Sequence, residues 1–190
     1  MGLLNLVVGS IVDANKAIKQ SNAINNNETQ TVTVENRYSI EVPSFLTPTK
    51  KLSEDAAIQY YSKAMDISFM VIDEPKEVFI NEMEEFKKEM PDFGKDKTLL
   101  DKMVIITLSN AYDMDKIEVL DYTATSINGL NAVTFNTFKK RTFFEDAQYG
   151  SFAFIEGKDT LYQIIILSGG TSITKLSEKL ESSIKTFKEL

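Results

Sequence analysis

Asp113-Met114-Asp115, with Glu118 close behind, is the best cluster of oxygen ligands in the sequence. Calcium loops alternate acids over a longer stretch and need a Gly at the sharp turn, whereas Lys116 and Ile117 come next here. The cluster therefore reads as a solvated helix end. The run Glu77–Glu89 carries enough carboxylates for paired acid–base chemistry, but Lys87 and Lys88 are interleaved with them, and Glu84 stands four residues before Lys88. That is the solvent face of an amphipathic helix. Gly169-Gly170-Thr171 ahead of a helix could seat an anion on free N–H groups; without the lysine of a phosphate loop it reads as a turn. Lys139-Lys140-Arg141, flanked by Phe138, Phe143 and Phe144, has the mixture of bases and rings that grips single-stranded nucleic acid. The patch is small and the chain carries a formal charge of −7, so it reads instead as solubilising charge at a hairpin tip, open to an acidic partner. Tyr60 and Tyr61 fall on opposite faces of a candidate strand, one toward the core and the other outward as a contact residue.

What is absent excludes more. The chain has no Cys and no His, which removes thiol catalysis, disulfides, imidazole bases and ordinary zinc sites. No catalytic, cofactor-binding or metal-binding residue is assigned, and no cofactor is expected. An acidic chain is a poor generic binder of nucleic acid. With 190 residues, 43% hydrophobic and 26% charged, the composition is that of one globular domain able to bury a core without staples.

The first thirty residues stand apart. Leu4, Val7, Val8, Ile11, Ala14 and Ile18 keep helical spacing over Leu3–Ile24, and a polar run from Ser21 to Gln30 reads as a linker. Residues 1–30 are thus taken as an amphipathic helix with its linker, and residues 31–190 as the domain. The helix can fold back on its own domain, fray, or dock on a partner or membrane surface; its few cations favour the first two. The apolar start lacks the charged n-region of a signal peptide and is shorter than the roughly 20 residues of a membrane span. A cytoplasmic chain without stable membrane insertion is expected, unless a native signal segment is missing.

From Thr31 the period becomes two. Val32 and Val34, then Tyr38, Ile40 and Val42, make a hairpin turning near Glu35-Asn36-Arg37 and ending at Pro43. Strands follow at Ala57–Ser62 and around Ile67, Phe69 and Val71, with Lys63–Asp66 turning between them. Pro75 suits the first turn of a helix whose buried stripe is Phe79, Met83, Phe86 and Met90. Leu99, Met103, Ile106 and Asn110 favour a second helix over Leu99–Met114, against a β-branched strand reading of Val104–Thr107. Asn128-Gly129 joins strands Ile117–Ser126 and Asn131–Lys139. Tyr149–Ile155 and Leu161–Leu167 form a last hairpin, and a final helix carries Ile173, Leu176, Leu180, Ile184 and Phe187. Hairpins dominate, so an α+β fold with a largely antiparallel sheet is expected.

Tyr38-Ser39-Ile40-Glu41-Val42-Pro43, Ile127-Asn128-Gly129-Leu130-Asn131-Ala132, and Tyr162-Gln163-Ile164 with a closing helix near Ser183–Phe187 follow one another in an order that resembles the Mog/PsbP-like fold family, closest to uncharacterised bacterial members. The resemblance covers roughly 31–190. It implies an α/β/α sandwich with helices on both faces of the sheet, and a role in holding another macromolecule, with no shared catalytic motif. A lipobox Cys and the metal-binding His of photosynthetic members are missing here. The expected function is a non-enzymatic binding module for a protein or peptide, adaptor-like or chaperone-like. The alternative is a small-molecule or lipid-binding domain using a pocket between sheet and helices; a generic enzyme comes third.

Overall fold

The structure is a computed structural model, and it describes residues 28–89, 94–111, 116–140, 147–169 and 173–190. The strands are β1 (Thr29–Val34), β2 (Tyr38–Pro43), β3 (Thr47–Pro48), β4 (Ala56–Ser62), β5 (Ile67–Pro75), β6 (Ile117–Ile127), β7 (Leu130–Lys139), β8 (Gln148–Glu156), β9 (Thr160–Gly169) and β10 (Lys188–Glu189). The helices are α1 (Lys76–Glu89), α2 (Leu99–Ala111) and α3 (Ile173–Lys185). A seven-stranded antiparallel sheet runs β3-β4-β5-β9-β8-β7-β6, and β1, β2 and β10 form a separate three-stranded ribbon.

Two apolar clusters sandwich the large sheet. On the first face Phe69, Val71, Ala153, Ile155, Tyr162, Ile164 and Ile166 meet Tyr38, Ile40 and Val42 of the ribbon and Leu180 and Ile184 of α3. On the second, Met70, Val133, Phe135, Phe152, Phe154, Leu161 and Ile165 meet Phe79 and Met83 of α1 and Leu100, Met103, Val104 and Leu108 of α2. Covered on both sides, the central strands β5 and β9 read as near-continuous apolar runs instead of alternating ones. Phe135 stacks on Phe152 at 4.9 Å and on Phe154 at 5.7 Å, which rigidifies the second face.

The ribbon is tied down at the chain's end. Tyr38, Tyr162 and Phe187 pack ring against ring, with centroids 4.8–5.5 Å apart. The Tyr162 hydroxyl donates to Glu189 Oε1 at 3.0 Å, and that carboxylate also accepts from the Lys158 N–H. Arg37, in the β1–β2 turn, pairs with Asp73 of β5, which also accepts from the Tyr38 hydroxyl at 3.3 Å. Burial pushes the Tyr38 and Tyr162 hydroxyls up to about 12, against a lowering by Arg37 at Tyr38 and with the Glu189 hydrogen bond adding to burial at Tyr162.

Several expectations shift by small steps. β1 starts at Thr29, two residues before the expected Thr31. Pro75 closes β5 and Lys76 opens α1, so the proline stands just before the helix. In α2 the buried stripe is Leu100, Met103, Val104 and Leu108, with Leu99 and Ile106 partly buried and Asn110 exposed; the helix is rotated because its apolar side chains run almost all round it. Phe187 is buried beyond the end of α3, where the chain has left the helix for β10. The expected N-terminal helix, Met90, Tyr112–Met114 and the cap at Thr171 or Ser172 lie outside the described residues, as do the side chains of Phe86, Ile173 and Leu176.

Candidate functional site

The Asn128-Gly129 turn sets the geometry at the open end of the sheet. Both residues take positive φ, 49° and 88°, as a two-residue hairpin requires. Ile127 and Leu130 close it as directly opposed partners. In such a hairpin the closing pair exchanges hydrogen bonds, and every second pair back along the ladder does the same. Thr123 and Thr125 therefore bond to β7, while Ala124 and Ser126 turn their N–H and C=O groups outward, to the edge where the sheet ends.

On the first face this end of the sheet is polar. Thr123 and Thr125 of β6, Thr134 and Asn136 of β7, and Tyr149 and Ser151 of β8 line a groove of about 610 Å³, and Glu181, Ile184 and Lys185 of α3 form its wall. The Ser151 hydroxyl donates to Asn136 Oδ1 at 2.8 Å, which fixes the amide. Asp121 closes the far end. Burial holds the Tyr149 hydroxyl above its ordinary value, and the charges of Glu181 and Asp121 push the same way, so it remains a donor across neutral pH. Acids thus gather at one end of the groove and Lys185 stands nearer the turn, where Asn128 Nδ2 donates to the carbonyls of Lys185 at 3.2 Å and Phe187 at 2.6 Å.

A bulge shapes the acidic end. Leu120 opposes Asn136 and Thr123 opposes Thr134, so Asp121 and Tyr122 together face the single residue between, and Asp121 takes a φ of 54°. The Tyr122 ring stacks over Phe135 on the second face at 5.9 Å, and its hydroxyl donates to Asp101. Asp101 also accepts from the Thr98 N–H at 3.0 Å and hydroxyl at 2.7 Å, while its own N–H donates to Thr98 Oγ1 at 3.1 Å. This is a capping box that starts α2. The Tyr122 hydrogen bond, ahead of those from Thr98, holds the Asp101 carboxyl below its usual range.

A second groove, of about 750 Å³, separates β1 from β4, with Val32, Val34, Ile58 and Tyr60 in it and Glu35, Lys50 and Glu54 among its lining. In the first groove the Ser151 proton goes to an amide oxygen, that of Asn136.

No protein-family model matches the sequence, and no curated protein matches it. Among solved structures, the Ran-binding protein Mog1p of Saccharomyces cerevisiae aligns with a TM-score of 0.52 at 13% identity, over 85% of this chain and 95% of that one. The cyanobacterial PsbP of Synechocystis sp. PCC 6803 aligns with a TM-score of 0.54 at 11% identity, over 86% and 94% of the two chains. The chain has the Mog/PsbP-like fold. A protein of Bacteroides thetaiotaomicron aligns with a TM-score of 0.52 at 9% identity, over 85% of this chain and 48% of its own. At such identities the shared fold transfers no residue's role.

Within this Mog/PsbP-like domain the residues singled out by sequence scatter. Glu118 is exposed on β6, and Asp113–Asp115 lie outside the described residues. On α1 the ion pairs are Glu84–Lys87 and Glu85–Lys88, three residues apart instead of the expected four. Gly169 ends β9 with its N–H on the Asp66 carbonyl at 3.1 Å, and Gly170 and Thr171 are outside the described residues. Lys139 ends β7 opposite Gln148; Arg141, Phe143 and Phe144 are outside. Tyr60 and Tyr61 are both half-buried: Tyr60 packs on the first core, and Tyr61 donates to Asp66 at 3.2 Å. Among the described residues no group of three acids could hold a metal ion, and no helix is long and apolar enough to cross a membrane. The polar groove left one trace in the sequence. Thr123, Thr125 and Thr134 sit where a fully covered face calls for apolar side chains.

Proposed function

We propose that the protein is a non-enzymatic binding module whose partner is a protein or peptide, in an adaptor or chaperone-like role. The observation that carries this reading is where the free space lies. Between sheet and helices the described residues form two packed apolar clusters. The first groove lies at their margin, where α3 meets the edge strand β6, and hydroxyl, amide and charged side chains line it together with Ile127, Phe135, Phe152 and Ile184; the second lies on the surface beside β1. Open strand edges with adjoining side-chain grooves are a recurrent means of gripping extended chains. The structural neighbour Mog1p is described as Ran-binding, which adds an example of protein binding on this fold and says nothing of the partner here.

The test is affinity capture from the native host followed by reconstitution with the purified candidate, alongside assays of generic ester, phosphate and glycoside substrates. A saturable complex with a defined stoichiometry and no turnover is expected. Turnover by the pure protein overturns the non-enzymatic part. A small molecule or lipid retained in native mass spectrometry, with no protein complex reconstituted, supports the rival, for which a groove of about 610 Å³ is of suitable size.

A further inference from the structure

The ends of the large sheet are unequal. β3 is two residues long and ends in Pro48, and a short strand with proline is a blunted edge. The first half of β6 carries Glu118 and the bulge at Asp121-Tyr122, again the devices that discourage strand pairing. The second half, Thr123–Ile127, has neither charge nor bulge, and its five residues stay in regular register with β7. Among the described residues no strand pairs with its outer edge. The outer edge of β1, by comparison, looks across the second groove at the segment Pro48–Glu54.

We propose that Thr123–Ile127 is a strand-addition site for an extended peptide of another protein, paired antiparallel through the N–H and C=O groups of Ala124 and Ser126, with a lysine or arginine side chain of the peptide directed into the groove toward Asp121 and Glu181. This deepens, and rests on, the reading of the protein as a peptide- or protein-binding module. The argument for the basic side chain is charge complementarity. Asp121 and Glu181 make no ion pair among the described residues, and both act on the Tyr149 hydroxyl, so they share one end of the groove. A strand added here faces Thr123 and Thr125 as non-hydrogen-bonded partners, the arrangement that brings opposed side chains closest. The peptide residue opposite Thr123 then projects over the polar floor beside those carboxylates. Each acid is worth little to a fully solvated cation, but backbone pairing fixes the cation at the groove, where two like charges act together.

The probe is a fluorescein-labelled heptapeptide, TVTVTKT, whose lysine stands opposite Thr123 when its fifth and third residues pair with Ala124 and Ser126; it is compared with TVTVTET and with a version N-methylated at its third and fifth residues, which cannot donate to β6. Full-length protein is titrated by fluorescence anisotropy, and backbone amide exchange is followed by NMR. The expected results are at least tenfold tighter binding of the lysine peptide than of the glutamate peptide, loss of binding on N-methylation, and slowed exchange at Ala124 and Ser126. Ser126→Pro removes one outward N–H while sparing the β6–β7 ladder, and should weaken the lysine peptide at least tenfold. Glu181→Lys, at a half-buried position on the groove wall, should invert the preference between the two peptides. Unchanged binding by folded Ser126→Pro, or no protection at Ala124 and Ser126, overturns the proposal. So does a dimer that Ser126→Pro dissolves, which assigns the edge to a second copy, and so does concentration-independent protection of both amides without peptide, which assigns it to this chain itself. If Ser126→Pro still forms the reconstituted protein complex at full strength, strand addition fails while the binding-module reading stands; if the wild type forms no such complex, that reading fails on its own.

Discussion

Replacing Asn128 should reveal a clamp between the sheet and α3. Its side chain donates to the carbonyl of Lys185, the last residue of α3, at 3.2 Å and to that of Phe187, just beyond the helix, at 2.6 Å, from a backbone at φ 49°. A net protein hydrogen bond is worth about 1 kcal/mol, and the longer one, on an exposed carbonyl, falls below that. Forcing alanine into the left-handed region costs about 1 kcal/mol more. Asn128→Ala should therefore lose about 2–3 kcal/mol. Asn128→Gly relieves the backbone but not the lost bonds, and should lose about 1 kcal/mol less than alanine. Asn128→Asp keeps size and left-handed tolerance but turns a donor into an anion facing carbonyls at the negative end of a helix, so it should be at least as unstable as the glycine variant. The chain has no Trp, so urea melts are best followed by far-UV circular dichroism, with unchanged slopes as the check on two-state behaviour. If the aspartate variant melts with the wild type, the side-chain bonds contribute nothing and the clamp is refuted.

Gly129, at φ 88° with no atom within 4 Å of where a Cβ would stand, should cost about 1–3 kcal/mol as valine from backbone strain alone; an unchanged urea midpoint contradicts this. Tyr38 and Tyr162 ionise near pH 12, well above an unfolded tyrosine, so their contribution is complete below about pH 10 and is lost as pH rises toward 12. Ultraviolet titration at pH 11 should accordingly find fewer tyrosinates in the folded than in the urea-unfolded protein. Asp101 has the opposite sign: its lowered carboxyl supports the fold above the unfolded value near 4 and ceases to do so as pH falls through the folded one. Asp101→Asn should flatten the acid limb of the stability profile, and an unchanged limb would remove the capping box and Tyr122 from the account. A chain beginning at Glu28, whose carbonyl accepts from the Ser44 N–H at 2.9 Å, should melt cooperatively near the full-length midpoint; aggregation would mean that the preceding residues cover part of the core.

The hairpins were legible because their signals are local. Asn128-Gly129 needs only two residues to declare a turn, and the alternation in Tyr38–Pro43 faces one core. α2 was harder: Leu99-Leu100 and Met103–Ile106 supply apolar side chains on most of its circumference, so periodicity named the helix but not its buried side. β3 and β10, two residues each, are too short for any period. Phe187 continued the arithmetic of the α3 stripe, yet its ring belongs to Tyr38 and Tyr162, a grouping that depends on β2, β9 and the chain end meeting. The Arg37–Asp73 pair and the Tyr122–Asp101 bond join residues far apart in sequence and leave no local trace. The groove was half visible. Its threonines could be seen to break an apolar face, but which α3 residues wall it depends on tertiary packing.

The same clamp bears on binding. The groove floor belongs to β6–β8 and its wall to α3, and Asn128 is bonded from the tip of the β6–β7 hairpin to the end of that helix. Leu180 and Ile184 anchor α3 on the core, and the asparagine adds a polar tie between the end of that helix and the hairpin. A groove whose two sides are linked at one end spends less of its interaction energy on ordering when a chain enters it. If strand addition occurs at Thr123–Ile127, Asn128→Gly should weaken peptide binding even under conditions where the variant is fully folded. The loss should exceed what Glu118→Gln produces, since Glu118 lies on β6 beyond the bulge and does not line the groove. Equal binding by Asn128→Gly and wild type at full folding would separate the two roles, leaving Asn128 a stabilising residue and the groove preorganised by the apolar packing alone.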